Sequence, residues 1–327
     1  MYMSNIRKNK QNDGWWSLGK IKFRLKLGMV IGLFLASLAL SHAKLKVVAT
    51  TGFVGDLVKQ VGGDRIELEV LMGPGVDPHL YKPTASDISR LSQADVIFYS
   101  GLHLEGKMQE IFDKISKSNK KIYAVTDGVP REKLLSPPEF EGNYDPHVWF
   151  DVPLWSECVD TVSQSLTTHD KAGEKEYAQR GEELKKAHAA LQEWVINKIK
   201  ELSGERRILV TSHDAYNYFG RAYGFKVIGI QGISTVTEAG LADMAKMVDY
   251  IKEQKVPAIF VESSVSPNTI RRVSEDAEVK IGGELFSDAL GASGEIRQGF
   301  DVGTYEGVVK YNVATIVEAL KGVTGNE

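Results

Sequence analysis

The chain has 327 residues, enough for two domains, and its composition of 43% hydrophobic and 25% charged residues excludes a largely disordered protein. Beyond residue 43 there are 33 basic and 42 acidic residues, a formal net charge of about −9, which argues against nucleic acid as a partner and suits a cation binder. The single cysteine, Cys158, lies in an apparent helix and excludes both a disulfide framework and a thiolate metal site.

The N-terminus carries basic residues from Arg7 to Lys26, an apolar run from Leu27 to Leu40, and then Ser41-His42-Ala43. This is the pattern of a secretory signal peptide over residues 1–43, with cleavage near Ala43; an uncleaved anchor is the alternative. No cysteine follows the apolar run. The expectation is therefore a free periplasmic protein without the lipid attachment of bacterial lipoproteins.

Strand-like runs then alternate with amphipathic stretches, the signature of β-α-β units and parallel sheets. In the first half, strands are predicted over 46–51, 66–72, 95–100 and 121–126, with helices over 54–61, 85–94 and 108–115 between them. Thr84-Ala85-Ser86-Asp87 has the spacing of an N-terminal capping box, which starts a helix five residues after His79 and leaves His79 on a loop. In the second half, strands are predicted over 207–211, 226–230, 258–262 and 279–282, with helices over 215–223, 241–255, 268–276 and 305–321.

Between the halves, Leu184, Ala187, Leu191, Val195, Ile199 and Leu202 recur at helical spacing, with charged residues on the other faces and Gly204 as a stop. One long amphipathic helix over about 174–203 is expected. The fold class is thus α/β: two lobes, each with a mostly parallel four-stranded sheet flanked by helices, joined by one rigid helix. The expected divisions are an N-terminal lobe over 44–168, a connecting region over 169–204 and a C-terminal lobe over 205–327. A helical connector favours small, tilting lobe movements.

Four short segments just past predicted strands end in a residue that can bind a transition metal: Asp77-Pro78-His79, Asp145-Pro146-His147, Thr211-Ser212-His213 and Phe286-Ser287-Asp288. Three imidazoles and a carboxylate suit zinc, manganese or iron, and four such donors complete a tetrahedral shell. Ligands of open α/β sheets bind beyond the carboxyl ends of the strands, where all four candidates sit. Singly, each His also fits a hydrogen-bonded structural role, and Asp288 fits a helix cap. His103 reads as a structural or supporting residue, Glu262 as a ligand orienter or a cap, and His169 and His188 as residues without a role. Gly101-x4-Gly106-Lys107 nearly matches a phosphate-binding loop, but Met108 replaces the magnesium-binding hydroxyl and Glu105 would repel phosphate.

Val76-Asp77-Pro78-His79 with Lys82-Pro83-Thr84, Gly101-Leu102-His103-Leu104-Glu105, Asp145-Pro146-His147-Val148-Trp149, Ser212-His213-Asp214-Ala215 and Gly282-Gly283-Glu284-Leu285-Phe286-Ser287-Asp288 resemble the TroA/ZnuA family over the whole chain beyond the signal peptide. The resemblance implies a solute-binding protein of an ATP-binding-cassette importer, with one metal ion held by His79, His147, His213 and Asp288. It also implies a membrane permease, with its cytoplasmic ATPase, as partner; a monomer is expected. The stretch 107–144 lacks the His-rich loop of many zinc-specialised members, and His213 stands where many manganese-specialised members have Glu. The pattern is most similar to the TroA branch, with zinc or manganese as cargo and iron as a further candidate. Two other readings are a secreted zinc hydrolase, using Asp214 or Glu284 as a base, and an adhesin as a secondary role.

Overall fold

The computed structural model describes residues 43–117, 121–140 and 142–321; the expected signal peptide lies outside them but for Ala43. The first half holds a fully parallel sheet of β1 (Leu45–Ala49), β2 (Ile66–Val70), β3 (Val96–Tyr99) and β4 (Lys121–Ala124), in the order β2-β1-β3-β4. Val47 is paired with Leu68 on one side and Val96 on the other. The central strands β1 and β3 carry buried Val47, Val48, Ala49, Val96, Ile97 and Phe98, as strands covered on both faces must. Helices α1 (Gly52–Gly62), α2 (Ala85–Gln93) and α3 (Gln109–Lys117) connect the strands. The expected capping box starts α2: Thr84 Oγ1 accepts from the N–H of Asp87, and the Asp87 carboxylate accepts from the N–H of Thr84.

Helix α4 (Val152–His169) follows, with Asp151 as its N-cap and Pro153 in its first turn. The long helix α5 (Glu174–Ile199) is packed against it. The buried stripe of α5 runs Tyr177, Gly181, Leu184, His188, Leu191, Val195 and Ile199. It corrects the expected stripe at one position: Ala187 is exposed and His188 turns inward, its ring meeting Tyr305 edge-on at 5.3 Å between centroids. His169 is the last residue of α4, with Nε2 2.9 Å from the Tyr123 hydroxyl.

In the second half β5 (Ile208–His213) pairs in parallel with β6 (Lys226–Gln231), and β7 (Ile259–Glu262) with β8 (Ile281–Leu285). The two pairs meet along β5 and β7. Helices α6 (Asn217–Tyr223), α7 (Leu241–Gln254), α8 (Asn268–Ala277) and α9 (Tyr305–Leu320) complete it, together with a short antiparallel hairpin of β9 (Ile296–Arg297) and β10 (Phe300–Asp301).

Residues from Lys44 onward form one compact unit. The main apolar core runs from Val47 and Phe53, through Trp155, Leu184 and Leu191 of the two central helices, to Phe260, Ile316 and Val317, with smaller clusters around Val48 and Ile97 and around Val210 and Ile259. Polar bonds cross between the halves as well. Tyr218 donates its hydroxyl to the carbonyl of Asp145, Tyr305 donates its hydroxyl to the carbonyl of Trp149, and Arg221 is paired with Asp151 at 3.0 Å. No helix among the described residues is long and apolar enough to cross a membrane.

Candidate metal centre

The four sequence-predicted donors converge. One ligand atom from each of His79, His147, His213 and Asp288 lies within 4.8 Å of every other, and none of the four residues is more than 3% exposed. The Nε2 atoms of His79 and His147 are 3.3 Å apart. Asp288 turns one oxygen to each remaining imidazole, Oδ1 to His147 Nε2 and Oδ2 to His213 Nε2, both at 3.4 Å.

Local structure aims each donor. His79 sits in the loop after β2, where Asp77 Oδ1 accepts from its N–H at 2.8 Å. In the parallel motif Asp145-Pro146-His147, Asp145 Oδ1 accepts from the N–H of His147 at 3.0 Å and also lies 2.7 Å from His147 Nδ1. That second contact leaves Nε2 facing the centre, as a ligating imidazole requires. His213 ends β5, and Glu262, ending the neighbouring β7, accepts from its N–H at 2.9 Å with Oε1. Glu262 Oε2 is 2.6 Å from His213 Nδ1, an ion-pair contact not aligned as a hydrogen bond.

Asp288 follows β8. Its preceding segment is held by Asn312, which accepts from the N–H of Phe286 and donates to its carbonyl, and by Trp149 Nε1, which donates to the carbonyl of Ser287 at 3.0 Å. Ser264 donates to Asp288 Oδ2 at 3.3 Å. Gly229 of β6 permits the close approach beside His213: a Cβ there would lie 2.4 Å from the Asp214 nitrogen.

Burial and charge pull the protonation states apart. Burial first, with His147 and His213 adding repulsion against the opposing pull of Asp288, lowers the pKa of His79 to about 3. Burial also opposes charge on the other two rings, but carboxylates outweigh it. Asp145 and Asp288 raise His147, and Glu262 and Asp288 raise His213 well above the usual histidine range. Burial works against ionised Asp288, yet His213 and His147 hold its carboxyl well below the usual range. His213 Nε2 and Asp288 Oδ1 nonetheless have no hydrogen-bond partner while fully shielded from solvent. Once the rings give up their protons, inward-facing atoms of this kind fit a dication, which satisfies them together.

Other sequence candidates fall elsewhere. His103 is exposed, in a left-handed conformation with φ 64°, and does not join the cluster. The phosphate-loop lookalike is closed from within, because Glu105 accepts from the N–H groups of Ser100 and Gly101 and from the Thr50 hydroxyl. Asp214 accepts from the N–H of Gly229, and Glu284 is paired with Arg297; neither is among the four clustered donors. Asp145, two residues before His147, is a supporting residue that the sequence marks only by the repeat of Asp-Pro-His at residues 77–79 and 145–147.

This arrangement defines an α/β protein with a buried three-histidine, one-aspartate centre, the donor set of a transition-metal site. Residues 47–319 match the family described as ZnuA, zinc-uptake complex component A, periplasmic, and the chain belongs to that family. It is 43% identical over 288 residues to the manganese-binding lipoprotein MntA of Bacillus subtilis, covering 85% of this chain and 90% of the relative. It is 32% identical over 311 residues to the manganese ABC transporter substrate-binding lipoprotein PsaA of Streptococcus pneumoniae, covering 90% and 99%. The solved structure of the periplasmic zinc-binding protein TroA from Treponema pallidum superposes with a TM-score of 0.81 at 44% identity, covering 85% of this chain and 99% of that one.

Two of these relatives are named lipoproteins, which overturns the expectation of a free, lipid-unattached periplasmic protein. That expectation rested on one missing residue type next to the apolar run, and a single absent cysteine does not decide how a chain is held. Nor do the comparisons choose a metal, since a manganese-binding and a zinc-binding relative are almost equally similar.

Proposed function

We propose that this chain captures one divalent transition metal ion, zinc or manganese, with His79, His147, His213 and Asp288, and delivers it to the permease of an ATP-binding-cassette importer. The observation that carries the reading is the closed quartet of buried donors, with His213 Nε2 and Asp288 Oδ1 left unsatisfied at its centre. Both oxygens of Asp288 face the imidazoles, so the site offers four donors to zinc or a fifth to manganese. Iron remains a third candidate for the same donor set. The donors all come from one chain, so a monomer suffices.

Residues 44–168 and 205–327 act as the lobes in this reading, tilting about the connecting region 169–204. Spreading them would separate His79 and His147 from His213 and Asp288 and weaken all four bonds together. The role is carriage rather than catalysis: a hydrolytic zinc site keeps a coordination position for water and a base beside it, and the candidate bases are engaged elsewhere. The relatives' names also describe binding components of transporters.

The test is titration of metal-free protein with zinc and with manganese, followed by the same titration of His213→Ala. One ion per chain, with a large loss of affinity in the variant, is the expected result. Unchanged affinity in the variant would remove this assignment.

A further inference from the structure

The loop between β6 and α7, residues 232–240, reaches both ligand-bearing regions. Gly232 accepts through its carbonyl from the N–H of Asp214 at 3.2 Å, directly after the donor His213. Three residues on, the Thr235 hydroxyl donates to Asp77 Oδ2 at 2.6 Å, across 158 positions of sequence. The other oxygen of that carboxylate accepts from the N–H of His79 at 2.8 Å and of Leu80 at 3.4 Å. One face of Asp77 therefore holds the backbone of its own ligand loop, and the other holds the opposite half of the molecule. Thr235 is 6% exposed although the next residue, Val236, is 57% exposed, so its hydroxyl is turned inward onto this single carboxylate.

We propose that Thr235 is a positioning residue that latches the His79 loop to the second half and thereby slows metal release. The inference rests on metal capture by the quartet described above. Any movement that draws His79 away from His213 must also separate Asp77 from Thr235, because both pairs join the same two regions. A hydrogen bond to an ionised carboxylate is stronger than one between neutral groups. Breaking it in a partly buried position adds to the barrier for opening. Thr235 offers no atom to the cluster itself, so the latch acts on the dissociation rate and leaves the donor set alone.

The experiment compares the wild-type chain with Thr235→Val, Thr235→Ser, Asp77→Ala and the Asp77→Ala/Thr235→Val pair. Release of zinc and of manganese into excess chelator is followed by stopped flow, beside metal stoichiometry, the absorption spectrum of the cobalt-loaded protein and the melting temperature of the metal-free protein. Thr235→Val should release metal about tenfold faster, with stoichiometry and cobalt spectrum unchanged, and Thr235→Ser should restore the slow rate. The pair should release no faster than Asp77→Ala alone. Wild-type release kinetics in Thr235→Val, accelerations that add in the pair, or a change confined to metal-free melting would each overturn the latch. Failure of the wild-type chain to take up metal stoichiometrically would instead overturn the functional reading beneath it.

Discussion

Glu262 holds His213 twice: Oε1 accepts from its backbone N–H at 2.9 Å, and Oε2 lies 2.6 Å from its Nδ1. The two residues end adjacent strands, so the carboxylate fixes both the strand end and the ring of one donor. Asp145 does the same for His147, from two residues upstream instead of from a neighbouring strand. Two of the three imidazoles thus have a carboxylate behind them that raises ligand basicity and favours ligation through Nε2.

Replacing Glu262 by Gln should leave the fold intact, because the amide oxygen still accepts from the His213 backbone. Its NH2 group then meets the Nδ1–H that the ligating tautomer needs, donor against donor. Metal affinity should fall roughly 10- to 100-fold. Chelator competition measures the loss, and unchanged circular dichroism of the metal-free variant separates it from misfolding.

Proton competition follows from the raised pKa values of His147 and His213. A metal ion must displace protons from these rings, so affinity should rise with pH through the neutral range, with protons released on binding. Calorimetry in buffers of different ionisation enthalpy counts them. The metal-free protein should behave oppositely. Histidines with raised pKa values contribute stability that is complete below the unfolded value of about 6.5 and is lost as pH rises through the folded value. Asp288, with its lowered value, contributes above the unfolded value of about 3.9 and loses that contribution as pH falls through the folded one. His79, with its pKa lowered to about 3, works against the raised histidines below about pH 6.5, whereas the gain in melting temperature on adding metal should grow toward alkaline pH.

Three donors were legible because His79, His213 and Asp288 lie at or shortly after the ends of β2, β5 and β8, whereas His147 follows no strand, β4 ending at Ala124, and is marked only by its Asp-Pro-His segment, the same as that of His79. The supporting network was much less legible. Nothing near Asp77 in sequence indicates Thr235, and although Glu262 reads as a ligand orienter or a cap, which donor it holds is not legible; both pairings come from strand order and loop path. Spacing alone allows Ala187 the inward position on α5 and leaves His188 without a role, whereas the helix turns by the sequence 184, 188, 191. The antiparallel pair β9 and β10 is only two residues per strand, too short for alternation to register.

Glu105 supplies a prediction about folding instead of binding. Its buried carboxylate accepts from the Thr50 hydroxyl at 2.6 Å and from the N–H of Ser100 at 2.7 Å, joining the ends of β1 and β3. Burial raises its pKa against the pull of these donors. Glu105→Ala leaves those donors unsatisfied and should cost about 1–3 kcal/mol, read as a lower urea midpoint of the metal-free chain. Metal stoichiometry should stay at one ion, since Glu105 is not among the four donors.

Trp149 offers an optical test of the same centre. Its ring stands edge-on to His147 at 5.3 Å between centroids, stacks on Phe53 at 5.0 Å, and its Nε1 donates to the carbonyl of Ser287, next to Asp288. Drawing His147 and Asp288 onto a cation changes both the charge beside the indole and the position of its hydrogen-bond acceptor. Metal titration should therefore alter tryptophan emission, with saturation at one ion per chain. Trp149→Phe keeps an aromatic ring for Phe53 but leaves the Ser287 carbonyl unpaired, at a cost of about 1–3 kcal/mol. In that variant Trp155 and Trp194 remain, yet the metal-dependent change in emission should disappear. If it persisted at full size, the centre would have to be coupled to another indole, and the placement of His147 against Trp149 would not describe the metal-responsive site.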